Sequence, residues 1–260
     1  MKKWVLGTVP YLNALPLIWA LDKRPDVELV RLLPSKLGEQ LESGALHASL
    51  SPVFDVLSGI GESILGDAIV GATREVRSVL LFHKTPVREM QSVALDTSSH
   101  SSVNLTRVLL RDFYNISPQF NDAPPDLEGM LAHHDGAVLI GDPALEAAQT
   151  CGRWQVLDLA RAWHNFTQLS FTFAAWTGRR GLNPNDAKQL AAILNEARDE
   201  GTQKIARIVE ENPTRSLLAP SIRHSYLSDA IQYRFSASHQ AGLRQFARHL
   251  GKAYPSHIPA

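Results

Sequence analysis

LDTSSHSSVNLTRVLL, residues 95–110, carries the pattern on which the fold is read. A short apolar run, Ser92 to Leu95, enters a cluster of hydroxyl side chains: Thr97, Ser98, Ser99, Ser101 and Ser102. Val103, Leu105, Val108, Leu109 and Leu110 then recur at helical spacing. That order reads as strand, polar turn and helix N-terminus. The first turn of a helix leaves its backbone N–H groups without partners, and the helix dipole favours negative charge there. The stretch is therefore either a Ser-rich helix cap or a site for a carboxylate or phosphate.

The same alternation extends outward on both sides. Upstream, Trp4–Thr8 is strand-like, Asn13 is placed to cap a helix over Leu15–Leu21, and Val27–Leu33 reads as a second strand. Ser35 then caps a helix with Leu37 and Leu41 on one face and Gly44 as its stop, and Ala48–Ser51 is a short buried strand. Strand–helix–strand–helix–strand predicts an α/β unit with a parallel sheet. Ser63–Val70 and Val76–Phe82 add two strands, and HKTPVREM, residues 83–90, is polar and broken by Pro86. It reads as a crossing into a second unit. That unit holds the strand Ser92–Leu95, a helix Ser102–Phe113, a strand around Gln119–Phe120 and a helix Pro125–Leu131. The strand Gly136–Ile140, a helix Asp142–Gln149 and a strand Trp154–Leu157 follow. Phe171–Trp176 leads into TGRRGLNP, a second crossing, after which Asn185–Arg198, Gly201–Val209, Ser221–Leu227 and His239–Leu250 are helical. The expected architecture is two α/β lobes joined by two hinge crossings: 1–84 and 177–260 form the first lobe and 85–176 the second. Ligands of such folds lie between the lobes, at strand ends and helix N-termini.

Composition narrows the partners. Twenty-six basic residues balance 26 acidic ones, so no net field draws the chain to nucleic acid or to a membrane surface. Gly7, Pro10, Asn13 and Pro16 interrupt the apolar N-terminus too early for a signal peptide or a membrane span, and a cytoplasmic location is expected. The single cysteine, Cys151, excludes an internal disulfide and a thiolate metal cluster, and reads as a bystander. His133 and His134 are adjacent, so on a helix they point apart, and a metal site there is set aside. No phosphate loop, GxGxxG turn, HExxH or GxSxG elbow is present. Three polar points remain: Asn13, either a helix cap or a group that orients a ligand; Ser78, inside a strand-like run; and Asp142, an N-cap candidate before Pro143, next to a Gly141 that allows close backbone approach.

YLNALPL, SKLGEQLESGALHASLSP, VRSVLLF, LDTSSHSSVNLTRVLL, LIGDPAL and FTQLSFTFAAW, in this order from Val5 to about Trp176, resemble the chorismate dehydratases of the futalosine route to menaquinone. The resemblance implies a periplasmic-binding-protein type II-like α/β fold used as an enzyme. It implies conversion of chorismate, a small dicarboxylate, to 3-[(1-carboxyvinyl)oxy]benzoate and water, without metal or organic cofactor. It places Asn13 and Ser78 at family site positions, as the groups that orient substrate and assist proton movement. Tyr11, Ser51, Thr97, Ser98, His100, Ser101, Ser102, Gly141 and Asp142 are the expected substrate-binding residues. Two departures stand out. His100 and Ser101 occupy positions where the family commonly has Arg and Thr, and Thr167–Phe171 stands where the family reads TGLPF. A solute-binding or sensor protein for a small carboxylate has the same architecture, as does the sibling 1,4-dihydroxy-6-naphthoate synthase. YLN, LDTSSHSSVNL and LIGDPAL favour the dehydratase over that sibling.

Overall fold

The computed structural model describes residues 2–150, 152–212 and 217–254; Cys151 lies outside them. The strands are β1 (Trp4–Thr8), β2 (Val27–Arg31), β3 (Ala48–Pro52), β4 (Ser63–Ala72), β5 (Val79–His83) and β6 (Ser92–Asp96). They continue with β7 (Gln119–Ala123), β8 (Gly136–Ile140), β9 (Gln155–Asp158), β10 (Phe171–Gly178) and β11 (Gln232–Arg234). Two mixed sheets result, one ordered β11-β4-β10-β3-β1-β2 and the other β7-β6-β8-β5-β9. Each has a parallel triplet at one end, built as the alternating pattern requires: β1 pairs in parallel with β2 and β3, and β6 with β7 and β8. Each also takes an antiparallel strand that the chain delivers while changing lobes. β10 lies antiparallel between β3 and β4, and β5 lies antiparallel between β8 and β9.

The α/β class with two lobes is as expected, but the sheets place the crossings elsewhere. Val79–His83 pairs within the second sheet and Phe171–Gly178 within the first. The chain therefore crosses at residues 73–78 and 168–170, and neither HKTPVREM nor TGRRGLNP is a hinge. The burial of β5 explains its membership. Val79 and Leu81 belong to the main core, while Leu80 and Phe82 join a second cluster with Leu127, Met130 and Leu139. A strand covered on both faces is apolar throughout and sits inside a sheet.

One buried carboxylate fixes the first crossing and the start of the helix that leads to the second. Asp158, at the end of β9, accepts the backbone N–H groups of Val76 at 3.0 Å and Arg77 at 2.7 Å in the first crossing. It also caps the helix Leu159–Thr167, which leads to the second, by accepting from Ala160 and Arg161 at 3.0 Å. Burial pushes its pKa above the ordinary carboxylate range even against four donors. Arg77 is held there with φ of 58°, in the left-handed region that non-glycine residues rarely adopt.

The C-terminal segment returns to the first lobe. The helix Pro184–Gln203 runs through Gly201, which reads in the sequence as the start of a separate helix. A Cβ at Gly201 would lie 1.9 Å from the Pro16 carbonyl oxygen, so this glycine lets the helix pack directly on the N-terminal segment. The helix Pro220–Ser225 continues as a wider π turn over Tyr226–Ala230, carrying Tyr226 into the core. Among the described residues no helix is long and apolar enough to cross a membrane.

Replacing Asp158 by Ala strands four buried donors, and we expect a loss of about 2–3 kcal/mol in urea unfolding. A loss below about 0.5 kcal/mol would show that the crossings are held by other contacts.

Candidate active site

Between the sheets lies a narrow cleft. Val9, Leu50, Val70, Val76, Val79, Ile140, Phe173 and Ala174 make its walls apolar, and Tyr11, Asn13, Ser99 and Ser102 supply side-chain polar atoms. The lining contains no Lys, Arg, His, Asp or Glu.

What it holds instead is helix ends. Pro34 opens the helix Pro34–Glu42, Ser99 caps His100–Val108, and Gly141 is the first residue of Gly141–Thr150; all three line the cleft. Helices of nine and ten residues thus turn their N-termini to one space, where their dipoles favour an anion. Pro34, however, has no N–H, and the Ser35, Lys36 and Gly141 N–H groups already donate to the Ser98, Leu33 and Ser78 carbonyl oxygens. Ser99 accepts the Ser102 N–H at 3.4 Å, and its hydroxyl lies 3.1 Å from the Ser102 hydroxyl. Asn13 adds an acceptor: its Oδ1 is buried with no hydrogen-bond partner among the described residues. A buried amide oxygen without a partner is costly unless something else satisfies it.

Of the expected site residues, Tyr11, Asn13, Ser102 and Gly141 line the cleft. Ser78 is fully buried between Val76 and Val79, which do line it. Its carbonyl oxygen accepts the Gly141 N–H at 2.7 Å, and its hydroxyl accepts from the Tyr226 hydroxyl at 2.7 Å. Ser51 turns away, its hydroxyl 2.6 Å from that of Ser49, because alternation along β3 sends Leu50 and Pro52 to the cleft. Thr97 is exposed and outside the lining.

The remaining expected residues join the two lobes. Ser98 is bonded through its amide and hydroxyl to Asp96, at 2.9 and 2.6 Å, and its carbonyl accepts the Ser35 N–H from the first lobe at 3.2 Å. The Ser101 hydroxyl accepts the Phe54 N–H at 3.1 Å. Asp142 accepts the Leu12 N–H at 2.9 and 3.3 Å. Gly141 has φ of 63°, and a Cβ there would meet the Tyr11 ring at 2.7 Å, so the two lobes touch through this glycine. Tyr11 also bonds Ser98, while burial, aided by the charges of Asp96 and Asp142, raises the pKa of its hydroxyl. Ser99, Pro34 and Phe173 belong to the lining and were not singled out in the sequence; the capping position of Ser99 was the one signal available.

His100 also bridges. Its Nδ1 lies 2.8 Å from Asp55 Oδ1 in the first lobe, and this hydrogen bond raises the histidine pKa against partial burial. A folded-state pKa above the unfolded one means that the pairing contributes fully below the unfolded value of 6.5 and fades as pH rises through the raised value.

With this geometry in hand, comparison with known proteins is direct. The family model described as menaquinone biosynthesis matches residues 4–252. The chain belongs to that family. A chorismate dehydratase of Thermus thermophilus is 32% identical over 96% of this chain and 96% of its own. Among solved structures, a protein of Archaeoglobus fulgidus superposes with a TM-score of 0.79 at 14% identity, covering 96% of this chain and 97% of its own. The periplasmic aliphatic sulphonate-binding protein of Escherichia coli superposes with a TM-score of 0.63 at 18% identity, covering 95% and 86%. This menaquinone biosynthesis family member therefore has the periplasmic-binding-protein fold.

Two expectations follow from the inter-lobe contacts. Gly141→Ala should cost about 2 kcal/mol through its left-handed backbone and the Tyr11 contact; an unchanged unfolding midpoint would refute it. Between about pH 6 and pH 9, wild type should lose up to about 1 kcal/mol relative to His100→Gln, the exposure of the pair limiting the effect. Parallel pH profiles would show that the pair contributes nothing.

Proposed function

We propose that the chain is a chorismate dehydratase, a carbon–oxygen lyase that converts chorismate to 3-[(1-carboxyvinyl)oxy]benzoate and water in the futalosine route to menaquinone. The observation that carries the reading is the cleft itself, with apolar walls for a ring and three helix N-termini for carboxylates. Family membership and the Thermus thermophilus relative's name support it.

Chorismate carries a carboxylate on a cyclohexadiene ring and a second on an enolpyruvyl ether. Loss of the C3 hydrogen and the C4 hydroxyl makes the ring aromatic, and the ring carboxylate acidifies that hydrogen through the diene. Positioning and stabilisation of developing negative charge are then the protein's main tasks. The N-terminus at Ser99–Ser102 holds one carboxylate, and Asn13 Oδ1 accepts from a substrate hydroxyl. Ser78 donates a hydrogen bond to the C4 oxygen, which leaves as water by taking up the proton removed from C3. The cleft lining offers no carboxylate or imidazole as base, so the enolpyruvyl carboxylate of the substrate takes the C3 proton.

Purified protein incubated with chorismate should lose the diene absorbance and yield the aromatic enol ether by chromatography. Binding without turnover would instead support a solute-binding or sensor protein. Asn13→Ala and Ser78→Ala should each lower kcat by about 100-fold or more with circular dichroism unchanged. Wild-type rates in both would remove them from the site. An analogue lacking the enolpyruvyl carboxylate should bind without elimination; elimination at the normal rate would overturn the substrate-as-base step.

A further inference from the structure

Tyr226 lies 148 residues beyond Ser78 and comes from the C-terminal segment, yet its hydroxyl meets the site. The side chain is 1% exposed, and its hydroxyl donates to Ser78 Oγ at 2.7 Å. The Asn13 side chain also lies at this phenol, where it favours the ionised form against burial. The bond that the geometry fixes is the one from the Tyr226 O–H to Ser78.

The consequence concerns the Ser78 proton. Tyr226 fills a lone pair of Ser78 Oγ, so the serine proton cannot point back along that bond and must go to another acceptor. One phenol thus sets a donor at Ser78. Burial, with the nearby charge of Asp142 adding to it, pushes the Tyr226 pKa far above its ordinary value, so the phenol remains a donor throughout the working pH range.

We infer that Tyr226 is a positioning residue for the dehydration, aligning the Ser78 hydroxyl through the hydrogen bond that it donates. This rests on the proposed function, in which Ser78 handles the leaving oxygen. Tyr226 touches no reacting atom and transfers no proton.

The test is a double-mutant cycle on chorismate turnover with wild type, Tyr226→Phe, Ser78→Ala and the double variant. Tyr226→Phe should lower kcat by roughly 10- to 100-fold and leave KM within about threefold. In the Ser78→Ala background the same change should cost less than about twofold, because the hydroxyl it aligns is gone. A purely structural tyrosine would lower activity by the same factor in both backgrounds, and that result overturns the inference, as does a Tyr226→Phe enzyme within twofold of wild type. If Tyr226→Phe does not fold, 3-fluorotyrosine installed at position 226 keeps the ring and hydroxyl but alters donor strength. It should shift kcat more than about twofold in the Ser78 enzyme only; no shift overturns the inference. Wild-type protein that leaves chorismate unchanged overturns the functional reading and this role with it, whereas an active wild type with an unimpaired Tyr226→Phe overturns the role alone.

Discussion

The Asp158 carboxylate is the constraint from which the geometry of the cleft follows. Two sheets joined only by residues 73–78 and 168–170 have no covalent reason to face each other in one orientation. By accepting Val76 and Arg77 N–H while capping the helix Leu159–Thr167, Asp158 ties the first crossing to the start of the helix that leads to the second. That fixes where β5 begins, which brings Val76 and Val79 to the cleft wall and leaves the Ser78 carbonyl under the Gly141 N–H. A buried carboxylate is expensive, and four backbone donors are what make it tolerable here.

The charged and hydroxyl residues near the cleft divide into two kinds. Asp142, Ser101 and His100 direct side-chain hydrogen bonds to the opposite lobe, at Leu12, Phe54 and Asp55, and Ser98 reaches Ser35 through its carbonyl. Ser99, Ser102 and Asn13 remain at the surface of the cleft. The hydroxyl-rich turn at residues 97–102 thus performs both functions from one helix end. Ser99 and Ser102, one helical turn apart, reach the ligand space, and Ser98, His100 and Ser101 fasten the lobes.

Much of this was legible in the sequence, because strand and helix periods are local. The parallel triplets, the helix after the hydroxyl run and the return of the C-terminal helices all follow from spacing. Sheet membership does not, since it depends on partners far along the chain. VLLFH is as apolar as a lobe-one strand would be, and only its pairing with Gly136–Ile140 places it in the second sheet. HKTPVREM misleads because Pro86 and its charges mark a turn within a lobe as strongly as TREVRS, residues 73–78, marks the crossing. Hydroxyl residues are hardest to assign. Ser51 and Ser99 look alike in sequence, and only the strand's alternation and the helix's first turn decide which one meets the cleft. Tyr226 gave no local signal, as its partners Asn13 and Ser78 lie in other elements.

The absence of Lys, Arg and His from the lining has a kinetic side. Oriented N–H groups and hydroxyls act over a few ångströms, whereas fixed cations steer an anion from a Debye length away. If the ligand is the dicarboxylate proposed, no cation of the lining steers it into the cleft. Its association rate should vary little with ionic strength, and its retention depends on short-range geometry that a phosphate or sulphate of different shape does not share.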